Sequence, residues 1–284
     1  MEKLGDIMGD LQQRAQKMYL ETLNKEDKPG VVDKYECEKC QDKELILYLA
    51  EDGYEMARKC DCRDRKAWKR RLKNALIPEE FIENNFENFK RENTMQQRMF
   101  EMALEYLEAV QQGKTHNFGF FSFIGEHSIR QTELSQRQKL KMEHNNFGIG
   151  KTHLHIALAK RLIKYEKNVI VVSDVTFMDE MMQAKMTRDE GESFNRMINS
   201  VLSADVLVWD DIGKAKHSEA KESLYYQIIN ERYRKKKPIV FNTNEDRGSL
   251  AEKIGYAAAS RLIGQCGPYL LETEGADWRL IKHD

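Results

Sequence analysis

The stretch that most constrains this chain is Asn146-Phe147-Gly148-Ile149-Gly150-Lys151-Thr152, which runs straight into the helical pattern His153–Lys164. Gly-Lys-Thr opening a helix is the working end of a phosphate-binding loop. Backbone N–H groups cradle the phosphates, Lys151 reaches the β/γ-phosphates and the Thr152 hydroxyl ligates Mg²⁺. Gly148, Ile149, Gly150 and His153 complete the nucleotide contacts expected from this stretch. Some sixty residues later, Val206-Leu207-Val208-Trp209-Asp210-Asp211 reads as a buried strand ending in two carboxylates, where the metal-holding acid of such an ATPase sits. Gly-Lys-Thr alone is a weak signal. With that strand behind it, the pattern points to ATP and Mg²⁺.

The full loop wants a glycine five residues before Gly150, and that position is Asn145. The nearest upstream candidate is Gly125, at the end of the apolar run Phe118–Ile124. Between them lies Glu126–Asn145, polar and rich in Gln, Lys and Arg, which reads as an insertion inside the loop itself. Two readings follow. Either it is a solvated excursion that leaves the cradle intact, or it weakens nucleotide binding or adds a regulatory contact.

With 284 residues the chain can hold one sizeable core and a smaller module. A net charge of −1 removes any global basic field for nucleic acid, so such contacts must be local. No apolar run reaches the length of a membrane span and the N-terminus does not resemble a secretion signal, so a cytoplasmic protein is expected. Four of the five cysteines fall within Cys37–Cys62, which in a reducing compartment favours metal over disulfide. Cys37-x-x-Cys40 and Cys60-x-Cys62 suit a structural, four-thiolate Zn²⁺, with a hairpin between the pairs turning at Asp52-Gly53. The short second pair leaves room for a substitute ligand, and free thiols are the alternative.

The expected division is an amphipathic helix in 1–28, a zinc module in 29–75, a linker with a helix in 76–115 and an ATPase domain in 116–284. Leu4, Met8, Leu11, Ala15 and Met18 lay one apolar stripe along the first helix, which either packs on its own domain or docks a partner. Lys28-Pro29-Gly30 stops it. The run Arg63, Arg65, Lys66, Lys69, Arg70, Arg71, Lys73 around Trp68 is a DNA-binding face or a merely solvated one. Thr94–Gln112 reads as a helix capped by Thr94 with Gln97 and stopped by Gly113. Beyond it, strand-like Phe118–Ile124, Asn168–Val172, Asp205–Trp209 and Pro238–Phe241 alternate with helical segments. That alternation predicts a parallel α/β sheet covered on both faces, in three layers, with its ligand at the carboxyl ends of the strands.

These residues give the chain a resemblance to the bacterial and phage helicase-loader ATPases of the DnaC/DnaI group, in the AAA+ class. It rests on Gly150–Leu154 (Gly-Lys-Thr-His-Leu), Asp210–Gly213 (Asp-Asp-Ile-Gly), Ile229–Tyr233 before a basic run and Pro238, and Asn242-Thr243-Asn244. The cysteine module followed by Ile77–Phe81 resembles the zinc-bearing N-terminal part of the same group. The resemblance implies that Asp210 holds Mg²⁺ and that Asp211 stands where related proteins place the water-polarising glutamate, one methylene longer. It implies that Asn244, or else Asn242, senses the γ-phosphate, and that Arg261 is an arginine finger acting on a neighbouring subunit's ATP. Ala257 replaces a second arginine of the group, whose role Arg279 would share. Too little chain follows Arg261 for a full helical lid. The implied partners are a replicative DNA helicase, single-stranded DNA through lysines such as Lys214 and Lys216, and further copies of the chain in an ATP-dependent homo-oligomer. The implied role is helicase loading; an IstB-type transposition helper and a non-hydrolysing helicase adaptor are the alternatives.

Overall fold

The computed structural model describes residues 35–49 and 54–278. The helix expected at Leu4–Leu23, its stop at Lys28-Pro29-Gly30, the turn at Asp52-Gly53 and Arg279 lie outside the described residues. The chain forms two compact units, one up to Arg63 and one from Asp64 onward.

In the smaller unit, β1 (Leu45–Leu49) and β2 (Glu55–Lys59) pair antiparallel, Leu45 opposite Lys59 and Leu49 opposite Glu55. Every residue of β2 is exposed, so the hairpin has no apolar core of its own. A two-stranded hairpin is marginal in water. What it has instead is the buried cluster Cys37, Cys40, Cys60 and Cys62, with Ile46 packed against it. The last of these cysteines opens α1 (Cys62–Asn74).

In the larger unit, five parallel strands run in the order β4-β5-β6-β3-β7. They are β3 (Phe118–Ser122), β4 (Val169–Ser173), β5 (Val206–Asp210), β6 (Ile239–Asn242) and β7 (Leu270–Thr273). Side chains alternate across a strand, and here each alternate residue joins a different core. Phe118, Phe120, Val169, Val171, Val206, Val208 and Val240 face α2 (Thr94–Gln111) and α5 (Lys151–Lys164). Ile170, Val172, Leu207, Trp209, Ile239 and Phe241 face the other side. That side is covered by α6 (Asp174–Met186), α7 (Glu192–Ser203), α8 (Glu219–Arg234), α9 (Arg247–Ile254) and α10 (Tyr256–Gly264). The three layers and parallel sheet are those the alternation predicts. Gly119 sits on β3 between β6 and β7, where a Cβ would lie 2.4 Å from the Phe241 ring.

Three features differ from the sequence reading. The first is β7, a fifth strand paired parallel to β3. It is a short edge strand with only two apolar residues, too little for a pattern. The second is the cap of α2: Asn93, not Thr94, accepts the Gln96 N–H at 2.8 Å, while the Gln96 side chain accepts from Glu92 N. The capping exchange therefore sits one residue earlier. The third is the insertion, which folds into two short helices, α3 (Glu126–Gln131) and α4 (Leu134–Glu143). Only α3 buries an apolar side chain, Ile129.

The fully buried Arg232 ties the opposite end of the sheet together. Its guanidinium donates to the carbonyls of Val201, Ala204, Asp205 and Pro238, joining the segments that enter β5 and β6. Burial lowers its pKa to about 10, so it stays charged at neutral pH.

Candidate nucleotide site and cysteine cluster

The phosphate-loop stretch starts α5 from Gly150, which has φ of +100°. Only glycine adopts that conformation freely, and a Cβ there would also lie 2.7 Å from the Phe89 ring. Just before it, Asn146 fastens the loop to two strand ends. Its Oδ1 accepts from Thr273 Oγ1 at 2.9 Å and its Nδ2 donates to the Thr243 carbonyl. Asn145 exchanges hydrogen bonds with the backbone of Gly275, and Trp278 N donates to the Gly148 carbonyl. The missing loop glycine is thus replaced by a residue clamped from the tail of β7.

Gly125 lies just past the end of β3, where the insertion begins. It caps α3, and its N–H donates to the Asp246 carboxylate at 2.8 Å. The next amides continue the same docking, Glu126 N to the Asn244 carbonyl and His127 N to Glu245 Oε2. The insertion therefore leaves from β3 and is docked on the residues that follow β6. It returns beside β7, where His144 meets Glu274 at 2.9 Å.

Lys151 is buried, and its ammonium donates to the carbonyls of Asn146 and Thr243 and to Asn244 Oδ1, the last at 2.7 Å. Thr152 Oγ1 donates to Asp210 Oδ1 at 2.8 Å. A hydroxyl beside a carboxylate is the hard oxygen pair that Mg²⁺ takes. Burial, and then the neighbouring Asp211, raise the Asp210 pKa above the ordinary carboxylate value. Both effects favour neutralisation, by a proton or by a cation. Asp211 has φ of +55°, and its carboxylate accepts from Asn244 Nδ2 at 3.1 Å. Lys151, Thr152, Asp211, Asn244, Phe147 and Lys214 share one cleft of about 300 Å³, and no residue of 126–143 lines it.

His153 also lines the cleft, but its Nε2 is engaged by the Asn85 carbonyl and Asn88 Oδ1 and its ring lies edge-on to Phe89. Ile149 is buried and contributes backbone. Arg261 does not line the cleft. It donates to the Ala257 carbonyl on its own helix and stacks over Tyr226 and Tyr233. A single chain does not bring it to Lys151.

Two further residues stand behind the acidic pair: Asn242, the alternative sensor expected from the resemblance, which does not line the cleft, and His155, which emerges only in three dimensions. Asn242 Nδ2 donates to Asp210 Oδ1 while its Oδ1 accepts the Asp211 N–H at 2.8 Å, so one amide holds both acidic residues. Behind it, His155 Nδ1 lies 3.1 Å from the same Nδ2, with its ring stacked on Phe120. Burial, then the Lys151 charge, lower the His155 pKa to about 3, so its neutral Nδ1 accepts. The available signal was His155 at i+4 from Lys151, a polar residue on an otherwise apolar helix face.

The four cysteines form the second site. All four sulfurs lie within 4.8 Å of one another, with Cys37–Cys60 at 3.8 Å and Cys40–Cys62 at 3.4 Å. Tetrahedral Zn²⁺ with Zn–S of about 2.3 Å needs sulfurs about 3.8 Å apart, so the donor set fits zinc. The first pair is shaped by the Asp42 carboxylate, which accepts from Glu36 N and Cys37 N. No helix among the described residues is long and apolar enough to cross a membrane.

The wound parallel sheet, the glycine-started helix and the lysine and carboxylates converging at the strand ends define a fold of the P-loop nucleotide-binding type. Residues 145–267 match the family model described as IstB-like ATP binding protein. Over nearly its whole length the chain is similar to the phage-like element PBSX protein XkdC of Bacillus subtilis, 25% identical over 89% of each chain. It is 24% identical to the replicative helicase loader DnaC of Escherichia coli, over 90% of this chain and 89% of that one. Among solved structures, the DnaC helicase loader superposes with TM-score 0.50 and 21% identity, covering 66% of this chain and 96% of that one. DnaI superposes with TM-score 0.50 and 18% identity, covering 71% and 94%. These structures share its fold.

Proposed function

We propose that this protein is an ATP-dependent loader that delivers a ring-shaped replicative DNA helicase onto single-stranded DNA. The observation that carries the reading is the joining, in one chain, of a cysteine module and an IstB/DnaC-type ATP site along the length shared with the Escherichia coli loader. Residues 1–28 and the zinc module grip the helicase. The domain from 116 onward binds ATP and DNA and assembles with further copies. Gly148–His153 cradle the nucleotide, and Thr152 and Asp210 hold Mg²⁺, which neutralises phosphate charge when bound. Asp211 orients the attacking water, Asn244 contacts the γ-phosphate, and Arg261 acts on a neighbouring subunit's nucleotide. ATP so bound favours the DNA-holding assembly, and slow, DNA-stimulated hydrolysis releases it. That no residue of 126–143 lines the cleft supports a working site over a non-hydrolysing adaptor.

The family description favours a second reading, a transposition helper of the IstB type. The match from 145 to 267 leaves the cysteine module outside it, which favours the loader. Co-purification with a hexameric replicative helicase, with and without residues 1–75, tests the choice. Capture by the full chain and loss with the truncation is the expected result; capture of a transposase instead overturns the loader.

A further inference from the structure

The cleft contains a second lysine that the phosphate-loop motif does not use and that the sequence offered only as a DNA contact. Lys214 lines it together with Lys151, Asp211 and Asn244. It closes the turn that begins at Asp211, donating its N–H to the Asp211 carbonyl at 3.0 Å. Its ammonium lies over the Phe147 ring of the phosphate loop, 5.6 Å from the centroid, and 3.9 Å from Glu126 Oε2. Glu126 is the first residue of the insertion. Its side chain is only 17% exposed, whereas that of Lys214 is 41% exposed. The backbone N–H of Glu126 is fixed to the Asn244 carbonyl, and the Asn244 side chain touches both Lys151 and Asp211. The insertion thus places one carboxylate beside the second cation of the site.

We propose that Lys214 is a second phosphate-contacting lysine, and that Glu126 is the counter-ion that holds it until a terminal phosphate displaces the pair. This rests on the reading of the cleft as an ATP site. The physical ground is the position of the two ammonium groups. Lys151 sits inside the loop, while Lys214 approaches from the turn after the acidic strand end, on the side of Asp211 and Asn244. Two cations converging there suit a multiply charged terminal phosphate better than the shorter diphosphate, and Arg130 also pairs with Glu126, sharing its charge. Exchange of Glu126 for phosphate as the partner of Lys214 makes the insertion a reporter of the nucleotide state, because its first turn is bonded to Asn244–Asp246.

The test is equilibrium binding of a non-hydrolysable ATP analogue and of ADP, with Mg²⁺, to the full chain. In the wild type both bind, and Lys151→Ala weakens both. Lys214→Ala is expected to weaken the ATP analogue about tenfold while ADP stays within about twofold, the scale of one charge-assisted hydrogen bond. Lys214→Arg should restore most of the loss, and Glu126→Gln should tighten the analogue alone by about threefold. Equal loss for both nucleotides in Lys214→Ala, or no loss, overturns the proposal while leaving the ATP site standing. Failure of the wild type to bind either nucleotide overturns both.

Discussion

The Lys151 ammonium and Asn244 Oδ1 are joined by a 2.7 Å hydrogen bond across 93 residues of sequence. It links the start of α5 to the residue that follows β6 by way of the buried Thr243, and it defines the centre of the cleft. Asn244 also reaches Asp211, so one amide connects the lysine proposed to bind phosphate to the residue proposed to orient the attacking water.

The two partners should fail differently. Lys151→Ala removes the only charge in the pair and should cost about a hundredfold in nucleotide affinity, roughly 2.7 kcal/mol. Asn244→Ala should leave affinity within about threefold but slow phosphate release about tenfold or more, as expected for a group acting in the transition state. Binding and single-turnover hydrolysis measured on both variants check this. A large affinity loss in Asn244→Ala would count against its assignment.

Asn242 sets the orientation of Asp210 and the backbone of Asp211 without lining the cleft itself. Asn242→Ala should raise the Mg²⁺ concentration needed for nucleotide binding by about tenfold, the scale seen for groups that orient a metal ligand. Metal-free nucleotide affinity should not change. A magnesium titration at fixed nucleotide separates the two; an equal drop with and without metal would show general damage instead.

Metal analysis of the purified chain should find about one Zn²⁺ per molecule, as one closed four-thiolate site dictates. Replacing Cys37 and Cys60 together by Ser should release it and unfold the hairpin, which buries no apolar residue in β2. Nucleotide affinity should be unaffected. Loss of helicase capture with the metal, at intact nucleotide binding, would support the assigned division of labour.

Acid stability should reveal two opposed buried groups. Asp174 accepts from Trp209 Nε1, Tyr225 OH and Ala215 N, and burial raises its pKa to about 6. The folded chain therefore keeps a proton that the unfolded chain releases, and Asp174 adds stability as pH falls from 6 towards 4. His155 has the opposite sign. Its pKa falls to about 3 on burial, so the unfolded chain gains a proton below pH 6.5 that the folded chain refuses. Each contribution is about 3 kcal/mol at most over this window. Asp174→Asn removes the first and leaves the second, so its stability should fall more steeply than the wild type between pH 6 and 4. Urea unfolding at several pH values measures the two slopes; parallel slopes would refute the assignment.

Most of the sheet was legible because a strand buried on both faces must be apolar throughout, as Val206–Trp209 and Val169–Val172 are. β7 was not legible: Leu271 and Thr273 turn inward while Glu272 faces solvent, and four residues carry no usable period. The insertion was visible as a break in motif spacing. Its two helices were not, since α4 buries nothing.

By itself the sequence marked the candidate groups of the site. A lysine and a hydroxyl on a glycine-started helix, and an acidic pair ending a buried strand, can be recognised one segment at a time because each is local. Only the tertiary structure decided how those groups are held. Asn242 bridging the acidic pair, His155 behind it, Asn145 clamped by Gly275 and Glu126 beside Lys214 are all pairings between distant segments. Their partners are chosen by which strand ends the sheet order brings together, and no local periodicity records that choice.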